Sequence, residues 1–327
     1  MAKTLALVGS DSQLGREIRD LFPGSGLHAD LRLLAAGDEE AGHVTRLEDE
    51  LVIVGRLERA TLEDADVVLL AGGAASARQA AELEPDTVLV DLSYATEQLP
   101  SARIRAPWTE PLGYVAPRGT VHVAAHPAAL TTVLLLSRLN AVAGVRRAVV
   151  NVLEPASERG RAGMEELQVQ SVNLLSFKGL PKKVYDAQVA FNLLAAYGEE
   201  APEPLSAIEQ RIERHVTSLS ASGGGVLPSL RVIQAPVFHG YGLSFWVELE
   251  RNVPPRALET ALALAPVDLH GEGLAPPNLV GMAGQSGIAV GAFQADRNHP
   301  QAYWFWAVAD NIRLMAENAL AIAERLL

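Results

Sequence analysis

The stretch LALVGSDSQLGREI, residues 5–18, reads as a strand, a glycine turn and the opening of a helix. An apolar run at Leu5–Val8 suits a strand covered on both faces, and Gly9 and Gly15 frame the turn that follows. In a parallel sheet, such a turn is where the pyrophosphate of a dinucleotide rests on a helix N-terminus, drawn there by free N–H groups and the helix dipole. Gly9, Asp11, Ser12, Gln13, Leu14 and Gly15 are therefore the candidate cofactor-binding residues. The pattern is incomplete. At the middle position, where a side chain is usually missing, stands Ser12, whose hydroxymethyl group either crowds a phosphate or donates a hydrogen bond to it. A nucleotide site and a plain tight turn both remain open at this point.

Outward from this stretch, short β-type runs alternate with helical patterns: LRLLAAG, ADVVLLAGG, SARQAAELE, TVLVDLS and GTVHVAAH. That alternation predicts an α/β domain with a doubly wound parallel sheet. Past Pro127 the runs lengthen to RRAVVNVLEP, SLRVIQAPVF and LSFWVELER, mixed with helices, which predicts a second α+β domain with a mixed or antiparallel sheet. The chain ends in the strand-and-helix pattern YWFWAVADNIRLMAENALAIAERLL, with Asp310 as a helix cap and an apolar stripe at Ile312, Met315, Ala319, Ile322 and Leu326. No internal repeat is visible.

Composition narrows the function classes. The formal net charge is -12, and Lys and Arg form no stripe, which argues against a nucleic-acid surface. There is no cysteine, so disulfides, thiolate metal sites and a cysteine nucleophile are excluded together. No apolar run reaches membrane-spanning length, and the short apolar start meets Asp11 early; the expectation is a cytoplasmic protein.

Several side-chain groupings invite chemistry and most have a plainer reading. In VHVAAHPAALTT, residues 121–132, a strand breaks at Pro127 into an apolar helix. The first turn of such a helix is a common seat for a nucleophile, yet it carries Ala128 and Ala129. His122 and His126 lie four apart, but on a strand that is roughly 13 Å, too far to share one ion, so no metal site is assigned. Glu165 and Glu166 sit early in a helix, where the dipole favours carboxylates. His239 and Tyr241 follow a strand, and either is able to bind or transfer a proton. The aromatic run Tyr303–Trp306 alternates sides of a strand and reads as core or interface. The acidic loop AAGDEEAG, residues 35–42, suits either ribose hydroxyls or solvent.

Taken together these pieces resemble the aspartate-semialdehyde dehydrogenase family. LVGSDSQLG is similar to the family's nucleotide loop, AGGAAS to its adenine-side loop and VDLSYAT to the aspartate-serine turn that follows. AGMEELQVQSVNLL, QVAFNLL, QAPVFHGYG and FWAVADNIR keep the family's order and spacing over nearly the whole chain. The resemblance implies a Rossmann-type domain from residues 1–127 and 307–327, a dimerisation domain from 128–306, and a homodimer. Family enzymes attack an aldehyde with a cysteine thiol, pass hydride to NADP and release an acyl phosphate in amino-acid biosynthesis.

The same resemblance places the family's chemical groups on unlike residues. The motif Asn-Pro-Asn-Cys-Ser-Thr falls on HPAALT, so the nucleophile position is Ala129. The orienting glutamine falls on Glu154, the histidine base on Tyr241 and the arginine for the substrate carboxylate on Gln234. The phosphate arginine falls near Glu97 and a lysine near Glu209. The arginine expected at the NADP 2′-phosphate lies within GDEE, residues 37–40, and a lysine-glycine pair becomes Leu314 and Met315. The pattern is most similar to the Usg-type branch. No residue is assigned as catalytic, and binding of NAD or NADP is expected to be weak or absent. The implied function is a non-catalytic dimer that binds a small ligand or a partner protein; the alternative is an NAD(P)-dependent oxidoreductase acting on an aldehyde or other carbonyl.

Overall fold

The computed structural model describes residues 3–327 other than 38, 40, 48–49, 84–86, 112, 118–119 and 224. The chain divides into two compact units, Met1–Ala125 with Ile312–Leu327, and His126–Asn311.

In the first unit the strands are β1 (Lys3–Val8), β2 (Ala29–Leu34), β3 (Val44–Leu47), β4 (Glu50–Ile53), β5 (Val67–Leu70), β6 (Val88–Asp91), β7 (Ala102–Arg105) and β8 (Val121–Ala124). The helices are α1 (Gln13–Leu21), α2 (Arg59–Glu63) and α3 (Ala74–Glu82). Six strands form one sheet in the order β2-β1-β5-β6-β8-β7, every pair parallel. Strand order reverses at β1, the crevice where open α/β sheets bind ligands. The period of two sorts β1 between two cores. Leu5 and Leu7 pack with Ile18, Met315, Ala319 and Ile322 on one face; Ala6 and Val8 pack with Leu62, Val68, Leu70, Ala77 and Ala80 on the other. A sheet covered on both faces explains the unbroken apolar run with which the chain begins.

The turns after β1, β2 and β5 meet closely, and glycine makes that possible. A Cβ on Gly9, whose φ is +80°, would lie 2.3 Å from Gly72 Cα, and one on Gly72 would lie 2.2 Å from Ala36 Cβ.

The second unit contains α4 (Pro127–Ala143), β9 (Val145–Glu154), α5 (Gly160–Leu175), α6 (Leu205–Gly223), β10 (Ser229–Gln234), β11 (Tyr241–Leu249), α7 (Pro255–Leu262), β12 (Val267–His270), α8 (Leu279–Met282), β13 (Ile288–Ala295) and β14 (Ala302–Ala309); α9 (Asn311–Leu326) follows. Its sheet runs β10-β9-β11-β14-β13-β12, antiparallel in the middle and parallel at both edge pairs. Helix α4 is apolar nearly all round and buried through Leu136, as expected of a helix inside a core. Tyr303 and Phe305 point inward, with Phe305 stacked between Phe245 and Phe293 at 4.6 and 5.0 Å, while Trp304 is exposed. The alternation read from Tyr303–Trp306 holds. Among the described residues, no helix is long and apolar enough to cross a membrane.

The close approach at Gly9 gives a direct test. Gly9→Ala should lower stability by about 2–4 kcal/mol through backbone collision and positive-φ strain. Gly26→Ala should lose only about 1 kcal/mol, because its φ is +77° but its Cβ would meet nothing within 4 Å. Urea unfolding of the two variants separates these outcomes, and equal losses would contradict the packing role of Gly9.

Candidate functional site

Of the residues proposed for a cofactor, Gly9 to Gly15 form the turn between β1 and α1, and Gln13 and Leu14 open the helix. Their amides belong to the first turn, which has no intrahelical acceptors. Ser12 is the N-cap: its oxygen accepts the Gly15 amide at 2.9 Å, and its hydroxyl donates to the Ala71 carbonyl at 3.0 Å. The serine therefore closes the turn onto the β5 loop, and its proton is committed inside the protein. The reading in which it donates to a phosphate is not the arrangement found. Asp11 pairs with Arg19 at 3.1 Å and His43 at 2.9 Å. Of the acidic loop, Asp38 and Glu40 lie outside the described residues. The Glu39 carboxylate accepts the Ala36 amide at 3.1 Å.

The aspartate-serine turn is locked by Asp91, which is buried and accepts from the amides of Ser93 and Thr96 at 2.7 and 2.8 Å and from both hydroxyls. Glu97 is half-buried just beyond it. His122 is held by Arg105 at 2.7 Å, and burial, helped by that guanidinium, lowers its pKa to about 4. Leu314 and Met315 are buried core residues.

In the second unit, the N-terminus of α4 is sealed. Ala128 and Ala129 are fully buried, and His126 caps the helix, with Nδ1 accepting the Ala128 amide at 3.3 Å. An accepting Nδ1 places the proton on Nε2, 3.2 Å from the Tyr241 hydroxyl. Tyr241 in turn hydrogen-bonds Glu158, whose other oxygen accepts from Asn311 at 2.8 Å. The imidazole is neutral: burial holds its pKa well below the ordinary value, and His215, Arg211 and Arg159 reinforce the effect. Its backbone amide donates to His215 Nδ1 at 2.9 Å. The result is a buried chain His126–Tyr241–Glu158–Asn311.

A second buried cluster gathers around Glu154 at the end of β9. Arg159 lies 3.6 Å from Glu154, an ion-pair distance but too long for a hydrogen bond, and bonds directly to Glu203. Glu203 also holds Arg211 at 3.1 Å. Burial raises the Glu154 pKa to about 8; Arg159 and Arg211 pull it down, and the carboxylates of Glu158 and Glu203 push it up. Burial pushes Arg159 down, but the carboxylates of Glu154 and Glu203 more than offset it, and the guanidinium stays charged. Both Glu154 oxygens, Arg159 Nε and the Tyr185 hydroxyl have no hydrogen-bond partner among the described residues. Gln234 is saturated: it accepts from Tyr197 at 2.6 Å and donates to the carbonyls of Glu154 and Ala235 at 2.9 Å each.

Helix α5 supplies the scaffold for this cluster. Glu165 forms an exposed pair with Arg161, whereas buried Glu166 accepts the amides of Lys183, Val184 and Tyr185 and so places Tyr185. Gln170 pins Pro181, Ala187, Val189 and Ala190. Both carboxylates read as structural are structural. Glu209 faces outward on Arg231 and the Val232 amide, so it is Arg211, two residues on, that joins the cluster. His239 is half-buried and joins no hydrogen bond of either network among the described residues. Sequence reasoning brought Glu154, Gln234, Tyr241 and Ala129 to this unit through the resemblance. It missed Arg159, Glu203, Arg211, Tyr185, Tyr197 and Glu158; of these, Arg159 and Arg211 bring cations to a unit where only lost cations had been read.

The raised pKa of Glu154 has a signed consequence. Between the ordinary value of 4.5 and about 8, the folded protein holds a proton that the unfolded chain releases, so this group makes stability fall as pH rises through that window. Glu154→Gln should be nearly neutral at pH 5 and stabilising by about 1–3 kcal/mol at pH 8.5. Denaturation at the two pH values checks this; a pH-independent effect would contradict it.

Comparison with known proteins agrees with this architecture. Residues 136–314 match the family described as semialdehyde dehydrogenase, dimerisation domain. A USG-1 protein homolog of Pseudomonas aeruginosa is 30% identical over 99% of this chain and 97% of its own length. An aspartate-semialdehyde dehydrogenase of Prochlorococcus marinus is 27% identical over 99% of this chain and 96% of its own. The solved structure of a probable aspartate-semialdehyde dehydrogenase from Pseudomonas aeruginosa superposes with a TM-score of 0.88 at 29% identity, covering 100% of this chain and 98% of that one. The parallel sheet is thus the Rossmann-like half of this fold and the mixed sheet its dimerisation half. The chain belongs to the semialdehyde dehydrogenase family.

Proposed function

We propose that this chain is a non-catalytic, homodimeric member of the family, of the Usg type, which keeps the enzyme's fold to bind a small ligand or a partner protein. What supports this reading is Ala129: the resemblance puts it where family enzymes carry their thiol, it is fully buried, and the chain contains no cysteine. A methyl group cannot add to a carbonyl, so no thiohemiacetal forms to pass hydride to NADP. The neighbouring positions support it. Tyr241, aligned with the base, has its hydroxyl engaged by His126 and Glu158. Gln234, aligned with the arginine for the substrate carboxylate, has its amide fully used within the protein.

Assay of the purified protein with aspartate semialdehyde, NADP and phosphate should give no reduced cofactor above background. Ala129→Cys alone should leave turnover roughly 10⁴-fold or more below an active family enzyme, because a triad-like set acts as a unit. Phosphate-dependent turnover by the natural chain would overturn the reading.

The buried His126–Tyr241–Glu158 chain favours one second reading, a reductase without a covalent intermediate. Hydride would pass from a reduced nicotinamide to a carbonyl carbon, and Tyr241 would give its proton to the oxygen. Cofactor oxidation over a panel of carbonyl compounds, abolished by Tyr241→Phe, would establish it; silence over the panel removes it.

A further inference from the structure

We propose that the outer face of the mixed sheet and the outer face of α5 are the two halves of one reciprocal contact between two copies of this chain, the α5 of each lying on the sheet of the other. Helices α4, α6 and α7 cover the sheet from the side where Val150, Phe245 and Phe305 are buried. On the opposite side the register sets Val149, Trp246 and Trp304 in one row across β9, β11 and β14, and Trp304 is 40% exposed. One oxygen of Asp296 accepts both indole N–H groups, from Trp246 at 2.8 Å and from Trp304 at 2.9 Å. The rings are thus held in place with their polar atoms already satisfied, as suits the aromatic anchors of an interface. Charges at the margin are paired within the chain, Arg147 with Glu248 and Arg231 with Glu209.

Helix α5 offers the complementary face. Its inner side packs through Leu167 on Tyr185, Val189 and Ala190, while Val169, Val172 and Leu175 form an outward stripe that Phe177 continues. Leu175 is 74% exposed and Phe177 99%, and Phe177 takes a φ of +54°, a left-handed conformation that is an outlier for a bulky residue. A strained backbone that holds a phenylalanine in water gains nothing from its own chain, and burial against a partner offsets the strain. The dimensions fit a second copy: α5, with 16 residues, is about 24 Å long, and β9 and β11 run for about 30 Å beneath the exposed row. A two-fold axis makes the contact twice, which buries on the order of 800 Å² per copy, the size of a stable interface. The inference rests on the homodimeric reading above and adds which faces meet. It also ties assembly to the buried cluster, because α5 and the segment after it bring Tyr185 and Tyr197 to Glu154 and Arg159.

The test is sedimentation equilibrium of the full chain, of Val172→Glu on α5, of Val149→Glu on β9 and of the two variants mixed, with circular dichroism verifying that each is folded. The natural chain should be a dimer at micromolar concentration, and each variant alone should dissociate at least about tenfold more readily. The mixture should form a heterodimer more tightly than either variant pairs with itself, because it keeps one intact contact of α5 on sheet. Three of the four tryptophans lie on β11 and β14 and none on α5, so Val172→Glu should also shift their emission to the red as the partner's helix leaves the sheet. Hydrogen exchange of the Val184, Val189 and Ala190 amides should quicken in the dissociated variants; unchanged exchange would remove the tie to the cluster. A natural chain that stays monomeric leaves both faces to another occupant and overturns this inference together with the homodimeric reading. A natural dimer that both folded variants leave intact, or a mixture with no gain, overturns the choice of faces and leaves that reading standing.

Discussion

Arg159 is a guanidinium confined inside the second unit, and the arrangement around it follows from neutralising that charge. An unpaired charge in such a place costs several kcal/mol, so carboxylates must be brought to it. Glu203 provides the direct bond and the compensating charge, Glu154 stands 3.6 Å away without a hydrogen bond, and Arg211 balances Glu203 from its other oxygen. The four residues come from the turn just before α5, the end of β9, the loop before α6 and α6 itself, so the cluster ties those elements together. Burial, with the carboxylates of Glu158 and Glu203 close by, explains why Glu154 holds its proton against the pull of Arg159 and Arg211.

A family enzyme needs anion-binding groups that are free and a nucleophile that is exposed to its substrate. Here the polar groups of the second unit largely serve one another. Gln234 bonds Tyr197 and two carbonyls, Tyr241 joins His126 to Glu158, and the first turn of α4 holds Ala128 and Ala129 buried. In the first unit the same theme recurs, with Ser12 closing its own turn.

The sheet architecture was legible because it rests on local patterns. The run Leu5–Val8 is apolar at every residue, as a doubly covered strand requires, and Gly9 and Gly15 mark the turn without ambiguity. The longer strands after Pro127 announced a different sheet, and they form one with mixed directions. The polar clusters were less legible. Glu203 and Arg211 are far in sequence from Glu154, and Arg159 sits in the short turn just past β9; only tertiary packing makes them a cluster. Glu39 sits in an acidic run that reads equally well as a solvated loop. His126 was visible as a residue, but its capping and its link to Tyr241 depend on β11 packing near the start of α4.

The central claim is that this scaffold forms no covalent intermediate. The most direct measurement is a single-turnover experiment with protein in excess of aspartate semialdehyde and with NADP and phosphate present, following nicotinamide absorbance in a stopped-flow instrument while intact-protein mass spectrometry samples the same mixture. The account expects no absorbance burst and an unchanged protein mass. A burst stoichiometric with protein, accompanied by an acyl adduct, would contradict it.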